Sequence, residues 1–164
     1  MLYSMGLRGL IGNKDKRLSV ELRSMARDSG LCDLWYSKWR DNTDVDKLLD
    51  MYVRGFDFCT EHDYPPLDFI RENFRLDDLH RHHIYLDEYV DIAKGSSDTY
   101  IFLGNCTGEI YFSGFAVANV HIRHDSNINV ICDGYSKVFV SLYEDSTCSH
   151  EVNGMATYKE YDRR

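Results

Sequence analysis

An internal repeat in the C-terminal half constrains the fold of this chain more than any other feature of the sequence. Beyond Ser96, apolar residues come in pairs spaced i, i+2, which is the period of a strand with one buried face. Successive pairs are separated by roughly the spacing that short strands joined by turns require. Every second pair recurs at a nearly constant distance, so the repeating unit holds two short strands and two turns. The pairs are Ile101/Leu103, Ile110/Phe112, Val120/Ile122, Ile128/Val130, Val138/Val140 and, more weakly, Cys148/His150 and Ala156/Tyr158.

A two-strand unit of this length fits one coil of a β-solenoid, in which each coil buries its inward residues by stacking on its neighbours. The turns support stacking, because Asp125-Ser126 is echoed by Asp145-Ser146 and Gly134 by Gly154 at a constant offset. The sequence predicts a β-solenoid of about three coils over residues 96–164. The alternative is an antiparallel β-sandwich, which also shows short strands with frequent turn signals. The residues expected to form one continuous core are Val120, Ile122, Ile128, Val130, Val138 and Val140.

The preceding region, residues 18–95, has a helical period. After the N-cap candidates Asn42, Thr43 and Asp44, apolar residues recur at steps of three and four from Val45 to Cys59. The predicted fold class is therefore α+β, with a short helical N-terminal region that caps the C-terminal β-solenoid. Residues 1–17, which include three closely spaced basic side chains, are expected to be a flexible basic arm.

Composition excludes several classes of protein. The 164 residues carry 27 Asp and Glu against 19 Lys and Arg, for a net charge of −8. Such a chain repels phosphate groups, so nucleic acid is not expected as a partner.

The five cysteines lack the CxxC spacing of metal-binding fingers. No apolar run approaches the roughly 18 residues of a membrane span, so no membrane partner is expected. We therefore expect a cytoplasmic protein with free thiols.

Several segments resemble a known group of sequences. They are residues 48–59 (LLDMYVRGFDFC), 62–65 (HDYP), 69–74 (FIRENF), 84–88 (IYLDE) and 120–126 (VHIRHDS). Between about residues 31 and 160, the chain resembles a family of small uncharacterised proteins encoded by phages and mobile elements of gut anaerobes. The resemblance implies a phage or prophage setting, either in the host cell or in the virion. It implies no reaction and no catalytic residue.

Ionisable residues cluster between residues 77 and 88 (DDLHRHHIYLDE). If this segment is helical, His80 and His83 share a face with Asp87, and two imidazoles with one carboxylate suit a transition metal. A solvated helix end, with its histidines against the C-terminal dipole, is the preferred interpretation of these residues. We therefore assign no metal ion and no other cofactor, and we keep these three residues as candidate ligands.

Cys59, His62 and Asp63 superficially resemble a thiol nucleophile with its base and orienting acid. The members of such a triad usually converge from distant segments, whereas Cys59 simply continues the apolar stripe of its helix. A buried core thiol is therefore the preferred interpretation.

Outward residues of the predicted strands form the candidate interaction surface. His121 and Arg123 alternate with Val120 and Ile122, so they point away from the core, and a solenoid stacks further residues on them in rows. The two predicted rows are Arg123, Ser141 and Lys159, and His121, Phe139 and Thr157.

These observations favour a non-enzymatic accessory protein of a phage or mobile element. It would act by protein–protein interaction or assembly through the β-solenoid surface, with a host or phage protein as its partner. Two alternatives remain open: a small metal-dependent or carbohydrate-active enzyme that uses the region from His80 to Glu88, and a nucleic-acid-directed regulator that uses the basic arm. A homo-oligomer is expected, because stacked coils leave an end that a second copy can cover.

Overall fold

The structure is a computed structural model that describes residues 4–40 and 43–164. Within these residues, six helices are followed by nine strands. The helices are α1 (Ser4–Asp28), α2 (Asp33–Lys38), α3 (Val45–Arg54), α4 (Phe56–Glu61), α5 (Leu67–Asn73) and α6 (Leu76–Arg81). The strands are β1 (Ile84–Leu86), β2 (Tyr89–Ile92), β3 (Thr99–Leu103), β4 (Thr107–Phe112), β5 (Val117–Ile122), β6 (Asn127–Cys132), β7 (Lys137–Leu142), β8 (Thr147–Val152) and β9 (Thr157–Asp162). The chain divides into two compact units, Met1–Asp78 and Leu79–Arg164.

The N-terminal unit begins with helix α1, which corrects the prediction of a flexible basic arm over residues 1–17. The helix covers Ser4–Asp28, while residues 1–3 of the predicted arm lie outside the described residues. The three basic side chains between residues 14 and 17 suggested an arm, but basic residues are equally compatible with the solvent side of a helix. Leu18 and Leu22 are buried one turn apart, so α1 is held by its apolar face and not by its charges.

The helical stripe from Val45 to Cys59 forms two helices where the sequence predicted one. Helix α3 ends at Arg54 and α4 begins at Phe56, with Gly55 between them. Asp44 is confirmed as the N-cap of α3, because its side chain accepts a hydrogen bond from the Lys47 amide at 2.9 Å. Of the other two N-cap candidates, Thr43 donates a hydrogen bond from its hydroxyl to the Arg40 carbonyl at 2.6 Å, and Asn42 lies outside the described residues.

The helical unit has an apolar core of its own. Its buried members are Leu18, Leu22, Ala26, Trp39, Leu48, Cys59 and Tyr64. The buried polar atoms of the two aromatic residues are paired: Trp39 Nε1 donates to Ser19 Oγ at 3.0 Å, and Tyr64 Oη donates to the Leu22 carbonyl at 2.8 Å. Cys59 is only 3% exposed, which confirms its interpretation as a core thiol.

The C-terminal unit is a β-solenoid. The odd-numbered strands form one sheet in the order β1-β3-β5-β7-β9, and the even-numbered strands form a second sheet in the order β2-β4-β6-β8. Every pairing between these described strands is parallel. Parallel pairing of every second strand is the pattern of stacked coils, and it excludes the antiparallel β-sandwich.

The solenoid is longer than predicted. Its described strands make four two-strand coils, and β9 begins a fifth, whereas the sequence predicted about three coils starting after Ser96. The extra coil consists of β1 and β2, inside the region predicted to be helical. Ile84 pairs with Ile101 and Tyr89 with Thr107, and these partners are closer in sequence than those of every later coil, such as Thr107 and Asn127. Because the sequence distance between the first two coils is shorter than the later ones, the repeat pattern did not reveal the first coil.

The predicted core is confirmed. Val120, Ile122, Ile128, Val130, Val138 and Val140 are all fully buried in one apolar cluster between the two sheets. Alternation along each strand places these residues in the lumen and their neighbours outside. Each coil therefore buries its own lumen residues only against the coils above and below it.

Most of the turns between the strands share one backbone conformation. In seven of the eight turns between described strands, all except the turn from β2 to β3, one residue has a positive φ, with values between 49° and 73°. These residues are Asp87, Gly104, Gly114, His124, Gly134, Glu144 and Gly154. At one edge of the later coils the residue is always glycine, which adopts this conformation without strain, whereas the opposite edge carries His124 and Glu144. Asp87, His124 and Glu144 are thus held in an unfavourable backbone conformation, and the side chain of each binds the backbone of a neighbouring coil.

Candidate functional site

The register of the strands corrects the predicted rows of outward residues. The rows assumed a shorter coil, which would have placed His121 beside Phe139 and Arg123 beside Ser141. In the pairing of β5 with β7, His121 lies beside Ser141 instead. In the pairing of β7 with β9, Phe139 lies beside Lys159, and Thr157 lies beside Lys137. The six predicted residues belong to one side of the solenoid, but they do not form the two rows that the sequence predicted.

Two of the predicted surface residues are engaged in contacts within the solenoid. His121 Nδ1 lies 3.3 Å from Tyr143 Oη, and its ring lies 6.1 Å from the Tyr143 ring. Ser141 is only 7% exposed. Three others, Phe139, Thr157 and Lys159, lie on the outer face, and the Lys159 ammonium is 5.2 Å from the Tyr161 ring.

Arg123 is buried, contrary to its predicted role on the surface. Its side chain is 2% exposed and pairs with Glu144, with 3.0 Å between Nε and Oε1 and 2.5 Å between Nη2 and Oε1. Glu144 also accepts a hydrogen bond from the His124 amide at 3.0 Å. Burial by itself raises the pKa of Glu144, but the hydrogen bonds from Arg123 and from the His124 amide outweigh it and hold that pKa below its ordinary value.

This ion pair belongs to a ladder of side chains along one edge of the solenoid. Glu144 reaches back one coil to the His124 amide, and His124 Nδ1 reaches back one coil to accept the Gly104 amide at 3.0 Å. Asp87 Oδ1 accepts the Asn105 amide of the next coil at 2.9 Å. Three turn residues with positive φ thus each bind the backbone of a neighbouring coil. These contacts stabilise stacking, and a partner could engage the same atoms only by breaking them.

The metal candidates do not share a helical face, because α6 ends at Arg81. His80 Nε2 lies 2.7 Å from Glu88 Oε1, whereas the His83 ring packs 5.1 Å from the Tyr100 ring. Burial, with a smaller contribution from the charge of His82, lowers the pKa of His83. Among the residues that the structure describes, no group of three or more His, Cys, Asp and Glu side chains is placed to hold a metal ion.

The opposite edge of the solenoid carries an exposed apolar ridge that the sequence analysis missed. We call Phe115, Tyr135 and Met155 the turn ridge; each follows the glycine of its turn, and each belongs to a successive coil. They are 83%, 57% and 72% exposed. The Phe115 and Tyr135 rings stack at 5.2 Å with an angle of 9° between their planes. The signal was present in the sequence as a large apolar residue after Gly114, Gly134 and Gly154.

Charged residues flank the turn ridge at its middle. Asp133 precedes Gly134, and its carboxylate accepts hydrogen bonds from the Gly134 amide at 2.6 Å and from Tyr111 Oη at 3.0 Å. Lys137, two positions after Tyr135, is exposed at the start of β7. The ridge therefore has an acid on one side and a base on the other. Val117, 55% exposed, extends its apolar surface beside Phe115.

The last strand of each sheet, β8 and β9, has mostly polar residues where earlier strands have core residues. By register, four of their exposed side chains occupy lumen positions. They are His150, Val152, Glu160 and Asp162. Tyr158 Oη donates a hydrogen bond to the Glu160 carboxylate, and the Tyr158 ring stacks on His150 at 3.9 Å. Hydrogen bonds from Arg164 lower the pKa of Asp162 to about 2, so this carboxylate is charged at neutral pH.

The fold and these surfaces define a small β-solenoid protein with a helical N-terminal unit. Comparisons with protein families, with curated proteins and with solved structures find no match to this chain. In the described part of the chain, no helix combines the length and the apolar character needed to cross a lipid bilayer.

Proposed function

We propose that this chain is a non-enzymatic accessory protein of a phage or mobile element that acts by protein–protein interaction through its β-solenoid. The observation that carries the proposal is the turn ridge. Large apolar side chains that are more than half exposed are costly to leave in water, and contiguous ones mark contact surfaces. The phage setting rests on the sequence resemblance of residues 31–160.

The chemistry of the turn ridge suits a protein partner. Phenylalanine, tyrosine and methionine are enriched in protein interfaces, where aromatic anchors provide much of the binding energy. The stacked Phe115 and Tyr135 rings are already ordered against each other, so binding sacrifices little side-chain entropy. A polar rim flanks them, with Asp133 on one side and Lys137 on the other, as in other protein interfaces.

The turn ridge replaces the predicted rows as the proposed contact surface. Arg123, His121 and Ser141 are engaged within the solenoid, whereas the ridge side chains project from their turns and are largely exposed. Substitution in the ridge should therefore change binding without changing the fold.

The test is an affinity capture from infected host cells with three baits. They are the wild-type chain, the ridge variant Phe115→Ser/Tyr135→Ser, and a control variant in the sheet that contains β4 and β6, Thr107→Ala/Asn127→Ala. The two control residues are exposed, on outward positions of β4 and β6. We expect a partner that the wild-type and control baits retain and the ridge variant loses, and that the purified partner binds with the same pattern. If every captured protein is retained equally by all three baits, the ridge is not the contact surface.

A further inference from the structure

We infer that the turn ridge pairs with the turn ridge of a second copy, so that two solenoids associate side by side about a two-fold axis parallel to the ridge. The inference rests on the proposed function, because it takes the ridge as the contact surface, and it goes further by naming the partner and the arrangement.

End-to-end stacking is disfavoured by the last strand of each sheet, β8 and β9. A second copy stacked on these strands would bury the Glu160 and Asp162 carboxylates in a lumen that is apolar elsewhere. The low pKa of Asp162 keeps that charge in place at neutral pH. Inward-pointing charges at an exposed sheet edge are a known protection against strand addition. The exposed strands β8 and β9 are therefore a poor surface for association.

The flanking charges select the orientation of the pair. If the two-fold axis runs along the ridge, the coils of both copies are in register. The flank that carries Asp133 in one copy then faces the flank that carries Lys137 in the other. Asp133 of one copy then lies near Lys137 of the other, and the contact occurs twice. If the axis runs across the ridge, the same flank faces itself, so that the two Asp133 carboxylates approach each other. Charge complementarity therefore favours the first orientation.

The size of the ridge limits the strength of the pair. Phe115, Tyr135, Met155 and Val117 can bury on the order of 500 Å² in each copy, since a large aromatic side chain buries about 150 to 250 Å². A standard stable interface buries about 800 Å² on each side. The expected product is a weak dimer that forms as the protein concentration rises, and the two-fold symmetry closes it against fibre growth.

Sedimentation equilibrium tests the inference on the full chain. The apparent mass should rise from the 19.2 kDa monomer toward twice that value. Mass action places the rise between about 5 and 500 µM protein for a dimer of this strength. The Phe115→Ser/Tyr135→Ser variant should remain monomeric over this range, and the Thr107→Ala/Asn127→Ala control should match the wild type. Circular dichroism of all three checks that the fold is unchanged.

Orientation is tested by disulfide trapping in a Cys32→Ser background, which removes the exposed native thiol. The in-register pair predicts that Phe115→Cys forms disulfide dimers with itself and that Met155→Cys does likewise. The crossed arrangement predicts instead a disulfide only between the two different variants when they are mixed. A mass that stays at that of the monomer overturns the inference, as does a dimer that the ridge variant retains or a crossed disulfide pattern. A monomeric chain whose ridge variant still loses a captured partner leaves the proposed function standing.

Discussion

Glu144→Gln should destabilise the solenoid although Glu144 lies in an exposed turn. The substitution keeps the shape of the side chain but removes a charge that pairs with Arg123, whose side chain is 2% exposed. Removal of one partner of a buried ion pair costs about 3–5 kcal/mol, because the remaining charge loses a partner that offset the free energy of its desolvation. Glu144 is itself 38% exposed, and water screens part of the interaction. We therefore expect a loss of about 2–3 kcal/mol from a total stability of about 5–15 kcal/mol.

A second substitution separates the missing charge from any general damage to the turn. Leu103 occupies the position of Arg123 one coil earlier and is fully buried, so this column of the solenoid already accepts leucine. The double variant Arg123→Leu/Glu144→Gln removes both charges and leaves none buried. Its stability should lie within about 1 kcal/mol of the wild type, since well-packed apolar residues often replace a buried ion pair without loss. Together with Arg123→Leu alone, these variants complete a double-mutant cycle that gives the coupling between the two side chains.

Urea unfolding followed by far-ultraviolet circular dichroism measures these differences. Tryptophan fluorescence gives a second signal, because Trp35 and Trp39 both lie in the helical unit and report its unfolding. The reasoning is refuted if Glu144→Gln unfolds within about 0.5 kcal/mol of the wild type, or if the double variant is as unstable as the single one.

Three further changes test the lumen, the strand spacing and the ion pair. Val130→Asp should unfold the β-solenoid, because an unpaired carboxylate in the buried lumen costs several kcal/mol. Val152→Asp, at an exposed lumen position of β8, should melt within a few degrees of the wild type. Equal melting temperatures would contradict the difference in burial between the two positions. Gly108→Ala should also lower the melting temperature, because its φ is +125° and a methyl group there would run into the Val90 carbonyl, and an unchanged temperature would contradict that spacing. The folded pKa of Glu144 lies below its ordinary 4.5, so its stabilising effect is present above that pH and is lost as the pH falls through the folded pKa. The stability gap between wild type and Glu144→Gln, measured by urea unfolding across this range, should therefore close in acid, and a gap independent of pH would contradict the assignment.

Local patterns in the sequence determined which residues face the lumen from β4 to β7. In β3 the pattern was wrong, because Tyr100 and Phe102 occupy the lumen positions where the sequence suggested Ile101 and Leu103. A strand has a period of two, so Val120 and Ile122 had to share one side, and the repeat of such pairs required stacked coils to bury them. The glycines at residues 114, 134 and 154 marked the turns for a similar reason, since the chain adopts a positive φ at each of these three positions. These features depend on neighbours along the chain, and the sequence displays them directly.

The tertiary structure decided how the coils align, and with that the surface. A small change in the length of the coil moves every row by one outward position, and only the hydrogen-bonded register fixes that length. The burial of Arg123 depends on Glu144, which lies in the next coil and comes near only when the coils stack. The turn ridge likewise exists only because stacking brings Phe115 beside Tyr135. Contacts between residues that are distant in sequence are made by folding, and no local pattern records which pairs will meet.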